Sequence, residues 1–106
     1  MGIGKEGFQL EEMIRMRFDN GQALGQFLKE GSVATLQTYP YKARQKVIIN
    51  KTWKAEIYDV FANPTTEILD NYVQMSGFDS VGEWRTEAER LHKRVPNFLV
   101  IVKKSD

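Results

Sequence analysis

Tyr39, Tyr41, Lys42, Arg44 and Lys46 crowd into residues 39–46, and Lys51, Trp53 and Lys54 follow within a few positions. Aromatic rings interleaved with cations suit a polynucleotide: rings stack on splayed bases while cations track phosphates. Arg15 and Arg17 alternate with Ile14, Met16 and Phe18, which adds two cations on the outward side of a strand-like segment. Thr35 and Gln37 stand just before the cluster and offer short hydrogen-bonding groups toward a base or sugar. Each residue also has an ordinary explanation. Tyr39 and Trp53 can fill a core, and the lysines can keep a β-surface soluble.

Other chemistry is poorly represented. The chain has no cysteine, which excludes a disulfide scaffold, a thiol nucleophile and a thiolate zinc site. Its one histidine, His92, stands beside Lys93 and Arg94 at a predicted helix end, where complementing the helix dipole explains it better than catalysis. No phosphate loop of Walker type, HExxH, GxSxG or calcium loop is present, and Gly2-Ile3-Gly4 lacks the third glycine of a dinucleotide fingerprint. No cofactor or metal is implied.

The elements that must position these residues follow from periodicity and punctuation. Residues 14–18 predict a half-buried strand, and Asp19-Asn20-Gly21 a turn. Ala23, Leu24, Phe27 and Leu28 lie on one face of a helix that Gly31 ends. Residues 33–39 predict a strand stopped by Pro40, residues 41–46 a basic loop, and 47–49 a short buried strand. Asn50-Lys51-Thr52 predicts a hairpin turn into a long strand over 53–61, with Trp53, Ala55, Ile57 and Phe61 on one face and Lys54, Glu56 and Tyr58 on the other. Asn63-Pro64 predicts the start of a helix striped by Ile68, Leu69, Tyr72 and Val73, ending at Ser76-Gly77. Ser80 and Glu83 have capping-box spacing before a second helix striped by Val81, Trp84, Ala88 and Leu91. Pro96 breaks it, and the apolar run 98–102 predicts a central strand.

The order β, α, β, β, β, α, α, β lacks regular βαβ alternation and disfavours a doubly wound parallel sheet. It predicts an α+β fold: a small, mostly antiparallel β-barrel with two or three flanking helices. With 106 residues, 42% hydrophobic and 27% charged, the chain predicts one domain over residues 14–106, preceded by an arm over 1–13. No apolar run reaches the roughly 20 residues of a membrane helix, and the first residues lack a signal-peptide block, so a cytoplasmic protein is expected.

Charge is blocked along the chain. The net charge of +1 conceals −1 over residues 1–28, +5 over 29–54, −7 over 55–89 and +4 over 90–106. A fold that gathers the positive blocks raises the local concentration of anions; one that sets the blocks against each other neutralises them.

The arrangement resembles the ASCH domain, a small member of the PUA-like superfamily. Gly31 leads into Ser32-Val33-Ala34-Thr35-Leu36-Gln37, where that family carries a Gly-Lys-Lys-Thr-x-Thr-x-Arg type segment. Lys54-Ala55-Glu56-Ile57, leading toward Val60, resembles a family strand. Residues 76–84, Ser-Gly-Phe-Asp-Ser-Val-Gly-Glu-Trp, are similar to its Gly-Phe-x-Ser-x-x-Glu element, and residues 98–102 to its closing strand. The resemblance spans about residues 14–103 and implies a barrel with helices beside it and a cleft between them. It implies RNA or modified nucleobases as ligands. Some small ASCH proteins hydrolyse acetylated cytidine with a Lys, a Thr and a Glu. Here the Lys position is Ser32 or Val33, Thr35 matches the second threonine, the expected arginine is Gln37, and the Glu before Gly-Phe is Ser76. These departures remove the groups for proton transfer and leave binding as the expected activity.

The expectation is therefore an RNA or single-stranded nucleic-acid-binding module. Arg15, Arg17, Lys42, Arg44, Lys46 and Lys54 would hold phosphates, and Thr35, Gln37, Tyr39 and Tyr41 would line the cleft. An alternative is nucleoside chemistry through Lys29, Thr35 and Glu56. A third reading has the acidic helices of residues 65–89 dock a basic protein.

Overall fold

The computed structural model describes residues 13–105. The expected arm, apart from Met13, the Gly2-Ile3-Gly4 motif and Asp106 lie outside the described residues. Met13, counted with the arm, is buried.

The first strand, β1 (Ile14–Met16), is short, but the extended chain does not stop there. The Asn50 side chain accepts from the Phe18 amide at 2.7 Å and donates to the Phe18 carbonyl at 3.2 Å. An amide side chain thus continues the ladder that the backbone leaves off. Met16 and Phe18 are buried and Arg15 and Arg17 exposed, as the alternation predicts.

Helix α1 (Gly21–Glu30) begins at Asn20, whose Oδ1 accepts from the amides of Gln22 and Ala23 at 2.8 and 3.0 Å. It ends where Gly31 takes a φ of 79°, a left-handed conformation that costs glycine little. Strands β2 (Ser32–Gln37), β3 (Lys46–Ile49) and β4 (Trp53–Ala62) follow. The β3–β4 hairpin turns through Asn50 and Lys51, both with positive φ, as the twist of a tight hairpin requires. Helix α2 (Thr66–Tyr72) runs into a 3-10 turn over Val73–Met75, then α3 (Val81–His92) and β5 (Phe98–Lys104) complete the fold. The α3 cap forms as predicted, with Ser80 Oγ accepting from the Glu83 amide at 3.1 Å.

The five strands form one sheet in the order β1-β3-β4-β5-β2. Only β1 and β3 are parallel; the other neighbours are antiparallel. The α+β class and the mostly antiparallel sheet agree with expectation, and β5 is indeed an inner strand. A closed barrel does not form: β1 and β2 are the sheet's two edges and do not pair among the described residues. The chain leaves β1 after three paired residues and does not run on beside β2. The chain crosses that gap through residues 17–20 and α1 instead.

Each face of the sheet carries its own core. Met16, Phe18, Phe27, Val33, Val47, Ile49, Ile57, Val100 and Val102 pack with α1 on the inner face. Leu36, Leu69, Trp84, Leu99 and Ile101 pack with α2 and α3 on the other. Each such buried side chain contributes roughly 1.5–3 kcal/mol from burial. A β-bulge switches the facing of β4 side chains: the register with β5 shifts between Ile57 and Asp59. Val60 therefore packs toward the α1 core and Phe61 toward the other, correcting the expectation that Phe61 shares a face with Ala55 and Ile57. The start of α2 also differs. Asn63 takes a φ of 49° and donates its amide to the Asn97 carbonyl, so Thr65 becomes the cap and accepts from the Ile68 amide at 3.2 Å.

Candidate nucleic-acid interface

The gap between the sheet's edges is a cleft. Arg17, Phe18, Asp19, Asn20 and Ala23 line it from the β1 side. Thr35, Leu36 and Gln37 line it from β2, and Phe78, Trp84, Ala88, Leu91 and His92 close it from the α3 side. Its enclosed volume is about 70 Å³, well below that of a preformed drug-sized pocket, so it is a shallow hollow that holds at most the edge of a planar ring. Its lining mixes apolar and aromatic side chains with the polar groups of Arg17, Asp19, Asn20, Thr35, Gln37 and His92.

Those polar groups are mostly engaged. Gln37 Nε2 donates to Thr35 Oγ1 at 3.1 Å, and both residues are buried. His92 Nε2 lies 3.1 Å from the Leu36 carbonyl, which can only accept, so that nitrogen carries the hydrogen. On an edge strand this satisfies an acceptor that no neighbouring strand can reach. Arg17 Nε donates to Asp19 Oδ1 at 2.6 Å, an ion pair lying in solvent at the mouth. Outside the cleft lining, Glu87 on α3 is held below the usual carboxylate range, first by its hydrogen bond to Arg90 and in lesser part by Asn20.

A close approach at Gly77 places the loop that carries Phe78. Gly77 has a φ of 88°, and a β-carbon there would collide with the Gln22 carbonyl, whose carbon would lie 2.9 Å away. This close approach brings the loop before α3, and with it Phe78, against the first turn of α1. Ser76 locks the same loop: its buried Oγ donates to the Val73 carbonyl at 2.5 Å and accepts from the Phe78 amide at 3.0 Å.

A second concavity adjoins the first. Arg15, Met16, Arg17, Asp19, Asn50 and Lys51 line it, so the two share Arg17 and Asp19. This trough places Arg15 and Lys51 beside the mouth of the cleft.

Of the residues singled out from sequence, Arg17, Thr35 and Gln37 meet in the cleft, and Arg15 joins the trough. Tyr41 does not line either concavity. It is buried in the α1 core, its hydroxyl donates to the Arg15 carbonyl at 3.3 Å, and burial pushes its pKa up to about 12, with Tyr39 a lesser cause. An exposed stacking role for Tyr41 is thereby corrected: the ring packs in the core and ties its loop to β1 through the Arg15 carbonyl. Tyr39 is half exposed, with its ring centroid 4.6 Å from that of Tyr41. Lys42 and Arg44 are exposed on the loop, away from the cleft lining. Lys46 pairs with Glu56 at 3.4 Å, and Lys54 is exposed on the outer side of β4. Lys29, at the end of α1, and Glu56, on β4, also lie apart from the cleft lining that holds Thr35.

Sequence reasoning missed Phe78, Trp84, Leu91 and His92 as cleft residues. One signal for three of them was present. Trp84, Ala88, Leu91 and His92 continue a single helical stripe, so His92 shares a face with Trp84 rather than simply ending the helix. Among the described residues no cluster of His, Cys, Asp or Glu could hold a metal ion, and no helix is long and apolar enough to cross a membrane.

A stretch of 64 residues, 58% of the chain, is 42% identical to a protein of Sulfolobus islandicus rod-shaped virus 1 named Uncharacterized protein 105. The match covers 61% of that relative's length. No known family profile matches the chain, and no solved structure matches it.

Proposed function

We propose that the chain binds single-stranded nucleic acid, RNA foremost, with the edge of a base in the cleft and phosphates along Arg17, Arg15 and Lys51. The observation that supports this most is the shared wall: a ring-lined cleft opens directly onto a trough bearing three cations. Bases prefer aromatic surroundings and phosphates prefer cations, so one strand satisfies both hollows at once. Gln37, Thr35 and His92 supply hydrogen-bonding groups at the level where a base edge would lie. On this reading the curled sheet is PUA-like, its unclosed seam serves as the ligand cleft, and the chain works in the cytoplasm. The acetylcytidine hydrolase assignment gains no support, since Lys29 and Glu56 stand apart from Thr35.

The test is fluorescence anisotropy with a labelled oligouridylate across a salt series. Binding should weaken as salt rises, and Arg17→Ala should make the log–log slope shallower by about 0.7, the value for one lost phosphate contact on a single strand. Gln37→Ala should weaken binding without changing that slope. Absence of binding at low salt, or a slope of zero, defeats the proposal.

A further inference from the structure

The strand register assembles a second set of cations away from the cleft. Arg15 is partnered with Ile48, and Ile48 with Lys54, so these three stand in one row across β1, β3 and β4. Lys46 is partnered with Glu56, Glu56 with Lys103, and Lys103 with Ser32, which makes a second row across β3, β4, β5 and β2. Directly opposed residues share a face of a sheet, and the two rows lie about 7 Å apart. This is the face opposite the α1 core, at the end of the sheet that α2 and α3 leave open: Arg15, Lys54 and Lys103 are all exposed. Tyr58, in the bulge, is 54% exposed, and Lys103 Nζ stands 3.9 Å from its ring centroid.

The face is chemically lopsided. It carries two carboxylates: Glu56 is taken up by Lys46, and Asp59, partnered with Ile101 in the next row, accepts from the Val60 amide. Among the described residues Arg15 and Lys54 have no carboxylate within ion-pair distance. Ile48 is buried in its row, consistent with long basic stems lying over it while their charged heads reach water. Arg15 also lines the trough, so this face and the cleft are parts of one continuous surface.

We infer that the outer face of β1, β3, β4 and β5 is a platform for the phosphodiester backbone of a single strand, with Tyr58 as a stacking ring. The inference rests on the proposed function in that the same strand continues from the cleft. It adds a site about three strand spacings wide, roughly 14 Å, that the cleft does not require. Charge complementarity selects this occupant: exposed cations spread over an unwalled sheet face, with one ring, match repeated phosphates and a base rather than a compact ligand. An acidic protein surface is the competing occupant.

The experiment compares labelled oligouridylates of about 5 and about 15 nucleotides, the short one sized for the cleft and trough alone. The proteins are the full chain, the double variant Lys54→Ser/Lys103→Ser, and Lys54→Ser alone; thermal melting checks each fold. The wild type should bind the long strand at least roughly tenfold more tightly than the short one. The double variant should remove most of that gain and make the long strand's salt slope shallower by about 1.4, with half that change in the single variant, while short-strand binding stays unchanged. Short-strand binding with no gain on lengthening overturns the platform and leaves the cleft reading intact. Long-strand binding that depends on Lys54 and Lys103 but ignores Arg17→Ala and Gln37→Ala overturns the cleft reading and leaves the platform. Failure of both lengths to bind overturns both. Sedimentation is run in parallel: if the double variant changes only self-association or protein capture, the face is a protein interface and the platform is overturned.

Discussion

The cleft and the outer sheet face recruit different physics. In the cleft, apolar rings make the walls, the one arginine is paired with Asp19, and the buried polar groups bond one another. On the sheet face, Arg15, Lys54 and Lys103 stand exposed with a single ring beside them and no enclosing wall. A walled site discriminates by shape and hydrogen bonding and depends on the packed core that holds it open. A charged face gains affinity from counterion release, discriminates little, and depends on the core hardly at all. Stability and binding should therefore be coupled at the first site and separable at the second.

The strongest test of that coupling is Trp84→Ala. Trp84 belongs to the α3-side core and to the cleft wall, and it is 2% exposed. Its truncation should cost about 3–5 kcal/mol in urea denaturation and abolish short-oligomer binding. Lys54→Ser should leave the urea midpoint within experimental error. If Lys54→Ser proves the more destabilising of the two, the contrast is wrong.

Gly77→Ala should come next. The added methyl group must displace the α1 backbone at Gln22 while holding a left-handed φ, at a cost of roughly 1–3 kcal/mol. Because it pushes Phe78 and α1 apart, short-oligomer affinity should fall with stability, whereas salt slopes should not move. Unchanged stability would show that the loop adapts and that the close approach does not place Phe78.

The smallest effect is expected at high pH. Tyr41 joins the core to the Arg15 carbonyl, and its pKa of about 12 in the fold exceeds the ordinary value of 10. The fold disfavours the phenolate, so this group's contribution is complete below pH 10 and is lost as pH rises from 10 toward 12. Urea midpoints at pH 9 and pH 11 should differ, and Tyr41→Phe should reduce the difference. An equal drop in both proteins would assign the alkaline loss to other groups.

Much of the local structure was legible because its causes are local. Gly31 ends α1, Ser80 opens α3, and alternation places Arg15 and Arg17 outward, each through bonds or sterics within a few residues, whereas Asp19-Asn20-Gly21, expected as a turn, instead supplies the α1 cap at Asn20 and its first residue at Gly21. Asn63-Pro64 misled because a distant carbonyl, that of Asn97, claims the Asn63 amide and moves the cap to Thr65. Phe61 was placed on the wrong face because a bulge adds one residue to β4, and alternation cannot reveal which residue is extra. Tyr41 read as a ligand-facing ring because composition does not distinguish a ring that stacks on a base from one that packs in a core. Of the candidate site, Arg17, Thr35 and Gln37 were found, but the wall from α3 was not, since it joins them only through the fold.

The order and type of the elements, their caps, and the basic character of residues 29–54 belong to the chain itself, because propensity, periodicity and charge act at short range. That β1 pairs in parallel with β3, that the sheet stays open between β1 and β2, and that its cations divide between a trough and an outer face were decided by tertiary structure. Strand register is a contest among distant partners, settled by which arrangement buries both apolar faces at once.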